Sequence, residues 1–322
     1  MSRLSDTGAG ALTAWRSRWC PPDFSGKVGV AYSAGADSTA LLAAAVAVWP
    51  GQVVALHVHH GLQAAADGFE ATAREVASRL NVPLQVGRTD ARHAPGQSPE
   101  DAARQARYLA LAGMAREADV SVVLLGQHAD DQAETLLLAL SRGAGLPGLA
   151  GMPARFVRHG AVFGRPFLDT PAATLRDWVL EQGLAFVDDP SNTDPRFTRN
   201  RIRSLLMPAW QACFPGFRQA LARSARHAAQ AQVLLDELAH EDLQTVGVPP
   251  RLSALQALSR ARQSNVLRHW LKQEAGAAPT EAQLSELLDQ VDACRTRGHR
   301  LQLRAAGGRV ERADDHLVYR TL

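Results

Sequence analysis

The stretch Val28-Gly-Val-Ala-Tyr-Ser-Ala-Gly-Ala-Asp-Ser-Thr-Ala-Leu-Leu42 decides the fold, because an apolar run stops at a short polar turn and then continues as an apolar helix. It predicts a strand, a loop and a helix N-terminus in that order. Backbone N–H groups at a helix start are unpaired and lie at the positive end of the helix dipole, so they bind phosphate. Gly35 allows a ligand to approach the backbone closely. The loop therefore predicts a nucleotide site.

Two common nucleotide-binding loops do not fit this stretch. A Walker loop requires Gly-Lys-Ser/Thr, and a dinucleotide fingerprint has regularly spaced glycines. Asp37 stands where a Walker loop has its lysine, so Mg²⁺ held by Asp37 would neutralise the phosphates instead of an ammonium group. The plainer alternative is an ordinary strand-to-helix turn in which Asp37 or Ser38 caps the helix.

The composition is that of a globular protein. The chain has 322 residues, of which 46% are hydrophobic and 21% charged, and this length is sufficient for two domains. It has no run of eighteen apolar residues and no signal-peptide pattern, so we expect a cytoplasmic protein without a membrane segment. Cys20, Cys213 and Cys294 form no CxxC pair, which argues against a disulfide framework and a zinc signature.

The basic residues are almost all arginines, Lys27 and Lys272 being the only lysines, and the net charge is +3. A GC-rich genome explains this surplus most simply. Contact with RNA is the alternative, because guanidinium groups pair with phosphates and stack on bases.

Strands and helices alternate through the first two thirds of the chain. Apolar runs predict strands at Val53–Val58, Pro83–Val86 and Asp119–Leu125, separated by helices from about Asp67 to Leu80 and from Ser98 onward. This order favours a doubly wound parallel sheet covered on both faces, which binds ligands at the carboxyl ends of its strands.

The pattern changes after Pro215. Helical periods cover Phe217–His240, Ser253–Glu274 and Glu281–Ala293, and residues 299–319 alternate like a small β meander. We therefore predict an α/β catalytic domain at residues 1–215 and a smaller, mostly helical domain at residues 216–322 that ends in a short β meander.

A second chemical cluster follows the apolar run that ends at Leu125. On a helix that begins near His128, Asp130 and Asp131 lie four and three residues before Glu134, so the three carboxylates share one face. Such a group can hold a metal ion or an ammonium group. The alternative is a solvated acidic first turn that favours the helix dipole.

The Ser-x-Gly-x-Asp-Ser loop resembles the pyrophosphate loop of the ATP pyrophosphatase superfamily, which has the adenine nucleotide α-hydrolase type of fold. Ala34 replaces a glycine of the usual loop, so a positive φ there would be strained. Further segments resemble, in order, the motifs of bacterial tRNA(Ile)-lysidine synthetases. These are His57–Leu62, Ala103–Tyr108, His128–Thr135, Arg142–Leu146, Arg165–Leu168, Asp189–Asp194 and Arg199–Arg203. Gln127 stands where many members have a histidine.

The resemblance implies a ligase that modifies the wobble cytidine of an isoleucine tRNA with a CAU anticodon. ATP would adenylate the O2 oxygen of the cytosine with release of pyrophosphate, and the amine of L-lysine would displace AMP to give lysidine. The codon read would change from AUG to AUA. The implied partners are therefore tRNA(Ile), L-lysine, ATP and Mg²⁺, and the sequence leaves open whether the chain forms a homodimer.

The resemblance also assigns residues. Asp37 and Asp131 would hold Mg²⁺, Asp131 and Glu134 would hold the lysine, and Arg107 and Arg199 would stabilise developing negative charge. The residues that would contact ATP are Ser33, Ala34, Gly35, Ala36, Asp37, Ser38 and His57.

Several basic residues have plainer interpretations. His59 and His60 either bound the adenine pocket or are structural, and Arg199, Arg201 and Arg203 either serve the reaction or contact solvent and a neighbouring carboxylate. Arginines of the second domain either grip tRNA, as the resemblance implies, or form a solvated face. These are Arg218, Arg223, Arg226, Arg260, Arg262 and Arg268.

Two other functions remain open from the sequence. The first is another ATP pyrophosphatase, either a tRNA thiolase or an amide-forming synthetase, although the dispersed cysteines do not favour sulfur transfer. The second is a non-catalytic, nucleotide-regulated RNA-binding protein, which would leave Asp131 and Glu134 unexplained.

Overall fold

The computed structural model describes residues 8–59, 65–89, 99–189, 194–296 and 298–321. The chain forms two compact units, the first ending at His227 and the second beginning at Ala228. This boundary lies inside a long helix, Phe217–Val246, whereas the domain boundary expected from the sequence lies just before that helix.

A six-stranded sheet is the centre of the first unit. Its order is β3-β2-β1-β4-β6-β5, and every neighbouring pair is parallel except β5 and β6. The predicted doubly wound parallel sheet is thereby confirmed. The strands are β1 (Lys27–Ala31), β2 (Val53–His59), β3 (Leu84–Arg88), β4 (Val120–Leu124), β5 (Arg155–Arg158) and β6 (Ala161–Gly164).

Helices cover both faces of this sheet. One face packs against α1, α2, α3 and α7, with Leu12, Leu41 and Leu175 fully buried between the layers, and the other packs against α4 through Tyr108 and Leu111. The helices are α1 (Gly8–Trp19), α2 (Ala36–Val48), α3 (Ala65–Arg79), α4 (Pro99–Glu117), α5 (Ala129–Ser141), α6 (Leu146–Leu149) and α7 (Ala172–Glu181).

The sequence analysis did not predict β5 and β6. They form a hairpin whose turn consists of His159 and Gly160, at φ 50° and 76°. Two consecutive residues with positive φ match the twist of the strands they join, so His-Gly between two apolar stretches was the available signal.

The first unit continues through a short irregular helical segment. This consists of α8 (Thr198–Arg201), a π-helical turn (Ile202–Leu206) and α9 (Met207–Cys213). The long helix that follows, Phe217–Val246, is α10.

The second unit combines helices with a small antiparallel sheet in the order β7-β8-β9. Its core contains Leu267, Trp270, Val291 and Leu317, all almost completely buried. The predicted β meander at the end of the chain is therefore present. The elements are α11 (Leu252–Gln256), α12 (Arg260–Ala275), α13 (Glu281–Ala293), β7 (Gln302–Ala305), β8 (Gly308–Ala313) and β9 (His316–Thr321). Among the described residues, no helix is both long and apolar enough to cross a membrane.

Gly164 allows α1 to approach the sheet. A Cβ atom at this position would lie 2.3 Å from Cζ2 of Trp15, and the indole is held in place by a 3.0 Å hydrogen bond from Nε1 to the carbonyl oxygen of Ala154. Gly164→Ala should therefore lower the free energy of unfolding by about 1–3 kcal/mol. Urea unfolding followed by circular dichroism measures this change.

Gly113→Ala is the matched control, because a Cβ atom at Gly113 on α4 would have no neighbour within 4 Å. The same chemical change there should stabilise the helix by about 0.5–1 kcal/mol. Equal urea midpoints for the two variants would contradict the packing argument.

Candidate active site

The loop between β1 and α2 has the form of an anion site. Ser38 organises it: its Oγ accepts the N–H of Ser33 at 3.2 Å and donates to the carbonyl oxygen of Gly35 at 3.0 Å. Helix α2 begins at Ala36 without a side-chain cap, and the N–H groups of Ala36, Asp37 and Ser38 have no partner among the described residues. Three donors at the positive end of a helix dipole are therefore available to a phosphate.

Ala34 adopts the conformation that the sequence analysis identified as strained, with φ 66°. Its methyl group is fully buried in the core, and its carbonyl oxygen accepts the N–H of Val187 at 2.9 Å. A left-handed alanine costs about 1–2 kcal/mol. Burial and the hydrogen bond hold the residue in this conformation.

The two glycines near the loop have different functions. A Cβ atom at Gly35 would be 3.5 Å from Oγ of Ser33, an ordinary contact, so Gly35 leaves the helix start open to a ligand. A Cβ atom at Gly126 would lie 3.2 Å from the carbonyl carbon and oxygen of Asp37. Gly126 therefore allows the end of β4 to approach the phosphate loop. This role of Gly126 was not predicted from the sequence.

His128 caps the start of α5. The N–H of Asp131 donates to Nδ1 of His128 at 3.3 Å, and the N–H of His128 donates to Oδ2 of Asp131 at 3.1 Å. This reciprocal pair is a capping box with histidine in place of the usual serine or threonine. It fixes the direction of the Asp131 carboxylate.

The His128 ring also connects α5 to the phosphate loop, because its Nε2 lies 3.5 Å from Oδ2 of Asp37 and 3.5 Å from Oδ2 of Asp131. Burial alone would lower the pKa of His128, but the hydrogen bond to Asp37 and the neighbouring carboxylates raise the pKa to about 9. A raised pKa favours the doubly protonated ring. The capping bond instead requires a neutral ring, because an Nδ1 that accepts a hydrogen bond carries no proton. The cap geometry describes the neutral ring with its proton on Nε2.

Asp130 has a structural role. Its Oδ2 accepts the N–H of Ala172 at 2.9 Å, at the start of α7, and its Oδ1 accepts Nε of Arg218 at 2.7 Å. Burial would raise the pKa of Asp130, but these two hydrogen bonds lower the pKa below its usual value. Both carboxylate oxygens of Asp130 are therefore already hydrogen-bonded within the protein.

Asp131 and Glu134, hereafter the acidic pair, share a cation. Nε of Arg203 donates to Oε1 of Glu134 at 2.7 Å, and Nη2 of Arg203 lies 3.5 Å from Oδ1 of Asp131. Glu134 is fully buried, and its Oε2 has no hydrogen-bond partner within the described ranges. Burial raises the pKa of Glu134, and the charges of Arg203 and Arg199 oppose that rise. Arg203 thus contacts neighbouring carboxylates, and a role for it in the reaction stays a prediction.

Arg165 is a buried residue whose surroundings the sequence did not predict. Its guanidinium donates to Oε1 of Gln127 at 2.6 Å, to the carbonyl oxygen of Pro153 at 2.8 Å and to the hydroxyl of Tyr108 at 3.1 Å. Gln127 thus orients a buried guanidinium. The spacing between these residues is too long for a sequence pattern to indicate the contact.

The structure brings most of the predicted site residues to one edge of the sheet. Asp37 and Asp131 meet at His128, and Glu134 and Arg199 lie beside them. His57 is buried on β2, and its Nδ1 lies 2.8 Å from the carbonyl oxygen of Tyr32, at the entry to the loop. The ATP role assigned to His57 stays a prediction.

Other predicted residues are not part of this group. Arg107 is exposed on α4, and no described residue forms a hydrogen bond or ion pair with it, so its role stays a prediction. His59 is buried at the end of β2. His60 lies outside the described residues.

The carboxylates at this edge of the sheet have the chemistry that a bound Mg²⁺ requires. In the described ranges, no three His, Cys, Asp or Glu side chains form a group that could hold a metal ion by themselves. Mg²⁺ needs no such group, since it keeps several waters and is bound by one or two carboxylates together with substrate phosphates. Asp37 and Asp131 face the same nitrogen of His128, so their oxygens fit this requirement.

Comparison with known families agrees with this geometry. Residues 17–210 match the model of the PP-loop domain, and residues 251–318 match the model of the TilS substrate binding domain. The two matches lie in the first and second units, respectively.

Close relatives carry one name. The chain is 60% identical to a tRNA(Ile)-lysidine synthase of Polaromonas naphthalenivorans, covering 93% of this chain and 91% of the relative. It is 44% identical to a protein of the same name from Bordetella bronchiseptica, covering 91% and 89%. Among solved structures, the U34-tRNA thiolase NcsA from Methanococcus maripaludis, with its [4Fe-4S] cluster, has a TM-score of 0.57 at 15% identity, covering 68% of this chain and 77% of the other. That likeness shows the fold alone.

Ala34→Gly should change the free energy of unfolding by no more than about 1 kcal/mol. Release of the left-handed conformation gains about 1–2 kcal/mol. The loss of a buried methyl group costs about 0.8 kcal/mol, and the greater freedom of glycine in the unfolded chain costs about 0.4–1 kcal/mol. Urea unfolding measures the balance.

Ala34→Val increases the strain at the same positive φ, because a β-branched side chain is disfavoured there. It should lower the free energy of unfolding by about 2 kcal/mol or more. Ala40→Val is its control, because it adds the same atoms to the same core on α2. If both valine variants were destabilised equally, φ at Ala34 would not be the cause.

Proposed function

This chain belongs to the tRNA(Ile)-lysidine synthase family, and from that premise we propose that it joins L-lysine to the wobble cytidine of an isoleucine tRNA with a CAU anticodon. The observation that carries the proposal is the meeting of two groups at one edge of the sheet. A helix start with three N–H donors lies beside an acidic pair with one buried oxygen, and neither these donors nor this oxygen has a partner among the residues that the structure describes. The first group suits the phosphates of ATP, and the second suits a substrate amine.

In this proposal the phosphate loop positions ATP. The N–H groups at the start of α2 hold phosphate oxygens, and the fixed loop aligns the α-phosphate with the O2 oxygen of the cytosine. Attack by that oxygen forms the adenylated base and releases pyrophosphate. Preorganised donors favour this step because they stabilise negative charge without rearranging.

Asp37 and Asp131 are the proposed ligands of Mg²⁺. The ion would supply charge neutralisation at the phosphates. The chain contributes the orientation of the two carboxylates. Asp131 is fixed by the capping box, and Asp37 lies at the first turn of α2 and faces the same His128 nitrogen.

The acidic pair is the proposed site for the lysine substrate. An ammonium group has three donors, which matches two carboxylates better than a neutral side chain would. The attacking amine must lose a proton, and a buried carboxyl with a raised pKa is suited to accept it. Attack of the amine at C2 of the cytosine then displaces AMP.

The six arginines considered for RNA contact are largely occupied. Five of them form ion pairs within their own units: Arg218 with Asp130, Arg226 with Asp169, Arg260 with Asp289 and Asp292, Arg262 with Asp242, and Arg268 with Glu281. These pairs reduce the charge available to phosphate. Contacts with RNA are therefore expected from other basic residues.

A row of three arginines crosses the sheet of the second unit. Arg304 on β7 is paired with Arg309 on β8, and Arg309 with Arg320 on β9, so all three point to the same face. Like charges directly opposite one another are destabilising. Only Arg320 has an ion-pair partner among the described residues, Glu311. The row suits the phosphates of a tRNA strand.

A tRNA thiolase is the strongest alternative within the superfamily, and the structure does not favour it. Cys20, Cys213 and Cys294 are all free, and Cys294 is buried in the second unit. The similarity to a thiolase is limited to the fold, whereas the lysidine synthases are similar over nearly the full chain.

Labelled lysine tests the proposed function. The protein, ATP, Mg²⁺ and a CAU-anticodon isoleucine tRNA transcript should together transfer label from lysine to RNA, and pyrophosphate should appear in equal amount. No label in RNA would overturn the proposal. Ammonia or glutamine use without tRNA would favour an amide-forming synthetase.

Asp37→Asn should abolish adenylation, lowering tRNA-dependent pyrophosphate release by at least about 100-fold, because one ligand of the charge-neutralising ion is lost. Glu134→Gln should instead weaken lysine incorporation while leaving measurable adenylation. Asp23→Asn is the control, since Asp23 is exposed and precedes β1, far from the carboxyl edge. Equal loss of both steps in both variants would contradict this division of roles.

The arginine row predicts a salt effect. Replacing Arg304 and Arg309 with glutamine should weaken tRNA binding and reduce the slope of log Kd against log salt by about 0.7–0.9 for each phosphate that is no longer bound. Arg268→Gln is the control, because Arg268 is already paired with Glu281. Filter binding at several salt concentrations measures both slopes, and an unchanged slope in the double variant would exclude the row as a phosphate site.

A further inference from the structure

Arg203 occupies the position where a substrate cation is expected. It reaches the acidic pair from the π-helical turn Ile202–Leu206, and its side chain remains 42% exposed while Glu134 is fully buried. Its charge therefore lies between solvent and the acidic pair. A cation that pairs with Oε1 of Glu134 would have to replace this guanidinium.

The contact between Arg203 and the acidic pair is incomplete. Nε makes a good hydrogen bond to Oε1 of Glu134, but Nη2 is 3.5 Å from Asp131, which is too long for a strong bond. Oε2 of Glu134 has no hydrogen-bond partner among the described residues, and leaving a buried oxygen unsatisfied is destabilising. A group with three donors on one nitrogen is able to satisfy the oxygen that the guanidinium leaves bare.

The segment that carries Arg203 has the means to move it. π-Helical turns are rare in proteins, and those that do occur are often found at functional sites. Leu205 and Leu206 on this turn are 70% and 39% exposed, so little packing holds that side of the turn. A change from π to α spacing would rotate the side chains of the turn relative to Met207, which is buried at the start of α9.

We propose that Arg203 is a specificity-determining residue that neutralises the acidic pair when no substrate amine is bound and is displaced by the ammonium group of the incoming amino acid. This inference rests on the proposed function of the acidic pair. The guanidinium keeps a buried carboxylate paired in the empty site, and only a ligand with a positive group of its own replaces it. A neutral amino acid side chain would leave both carboxylates unpaired, which is the source of the selectivity.

An internal competitor raises the apparent lysine KM. If the acidic pair is free of Arg203 in only about a tenth to a third of molecules, removing the arginine lowers the lysine KM by about three- to tenfold. A purely structural ion pair would have the opposite result, because losing it would leave KM unchanged or raise it.

The experiment measures the rate at which the Arg203→Ala variant incorporates lysine into tRNA, as a function of lysine concentration and at saturating tRNA. We expect a lower lysine KM and an unchanged KM for ATP. Added methylguanidinium, which fits the space left by the side chain, should raise the lysine KM of this variant toward the wild-type value and have little effect on the wild type. Arg203→Lys keeps a cation beside Glu134 without the guanidinium fork and should give an intermediate KM.

Arg201→Ala is the matched control. Arg201 belongs to the same segment but bonds to the carbonyl oxygen of Pro195 and to Oγ1 of Thr198, away from the acidic pair. Its lysine KM should equal that of the wild type.

The outcomes separate the two ideas. If the wild type incorporates no lysine, the proposed function fails and the inference fails with it. If the wild type incorporates lysine but the lysine KM of both Arg203 variants is unchanged or raised, the inference alone is overturned. A fall in KM that methylguanidinium does not reverse would also overturn it, because the effect would not come from the vacated cation position.

Discussion

A buried carboxylate must be matched by a cation or by N–H donors, and this requirement organises the carboxyl edge of the first sheet. Three carboxylates at the start of α5 draw in three different parts of the chain. Asp130 holds α7 and the start of α10, Asp131 turns back to His128, and Glu134 takes Arg203. The three carboxylates differ in how many of their oxygens have hydrogen-bond partners. Both oxygens of Asp130 are bonded, so that residue is structural, whereas one buried oxygen of Glu134 has no partner in the part of the chain that the structure describes.

The sequence predicts the backbone of this site better than its side-chain contacts. Apolar runs located β1, β2, β3 and β4, and the spacing of Asp131 and Glu134 placed both on one helix face. The hairpin β5–β6 was missed because its strands are four residues long and only partly buried. The partners of Asp130 and Glu134 could not be predicted either. They lie 42 and 88 residues from Asp130 and 69 residues from Glu134, and local periodicity carries no information at such separations.

The arginines also show that sequence patterns predict where residues lie better than which side chains they contact. Their abundance was visible in the composition, and spacing on α10 and α12 indicated a basic face, yet most of those guanidinium groups are neutralised by carboxylates within the same unit. Arginines with no ion-pair partner among the described residues are instead Arg304 and Arg309, which strand register places side by side with the paired Arg320. Register depends on how three strands align, and the sequence of one strand does not specify it.

Ala34 has a consequence for the thermodynamics of ligand binding. A glycine at this position would let the loop sample many backbone states, and a nucleotide would have to select one of them. The alanine has few states to sample, and its buried methyl group and the bond from Val187 keep the one that exposes the N–H groups of α2. Ordering of the loop is therefore completed during folding. Nucleotide binding to this loop should therefore involve a smaller loss of conformational entropy than binding to a loop with glycine at position 34. The same rigidity makes the phosphate-binding loop less able to adapt to different ligands.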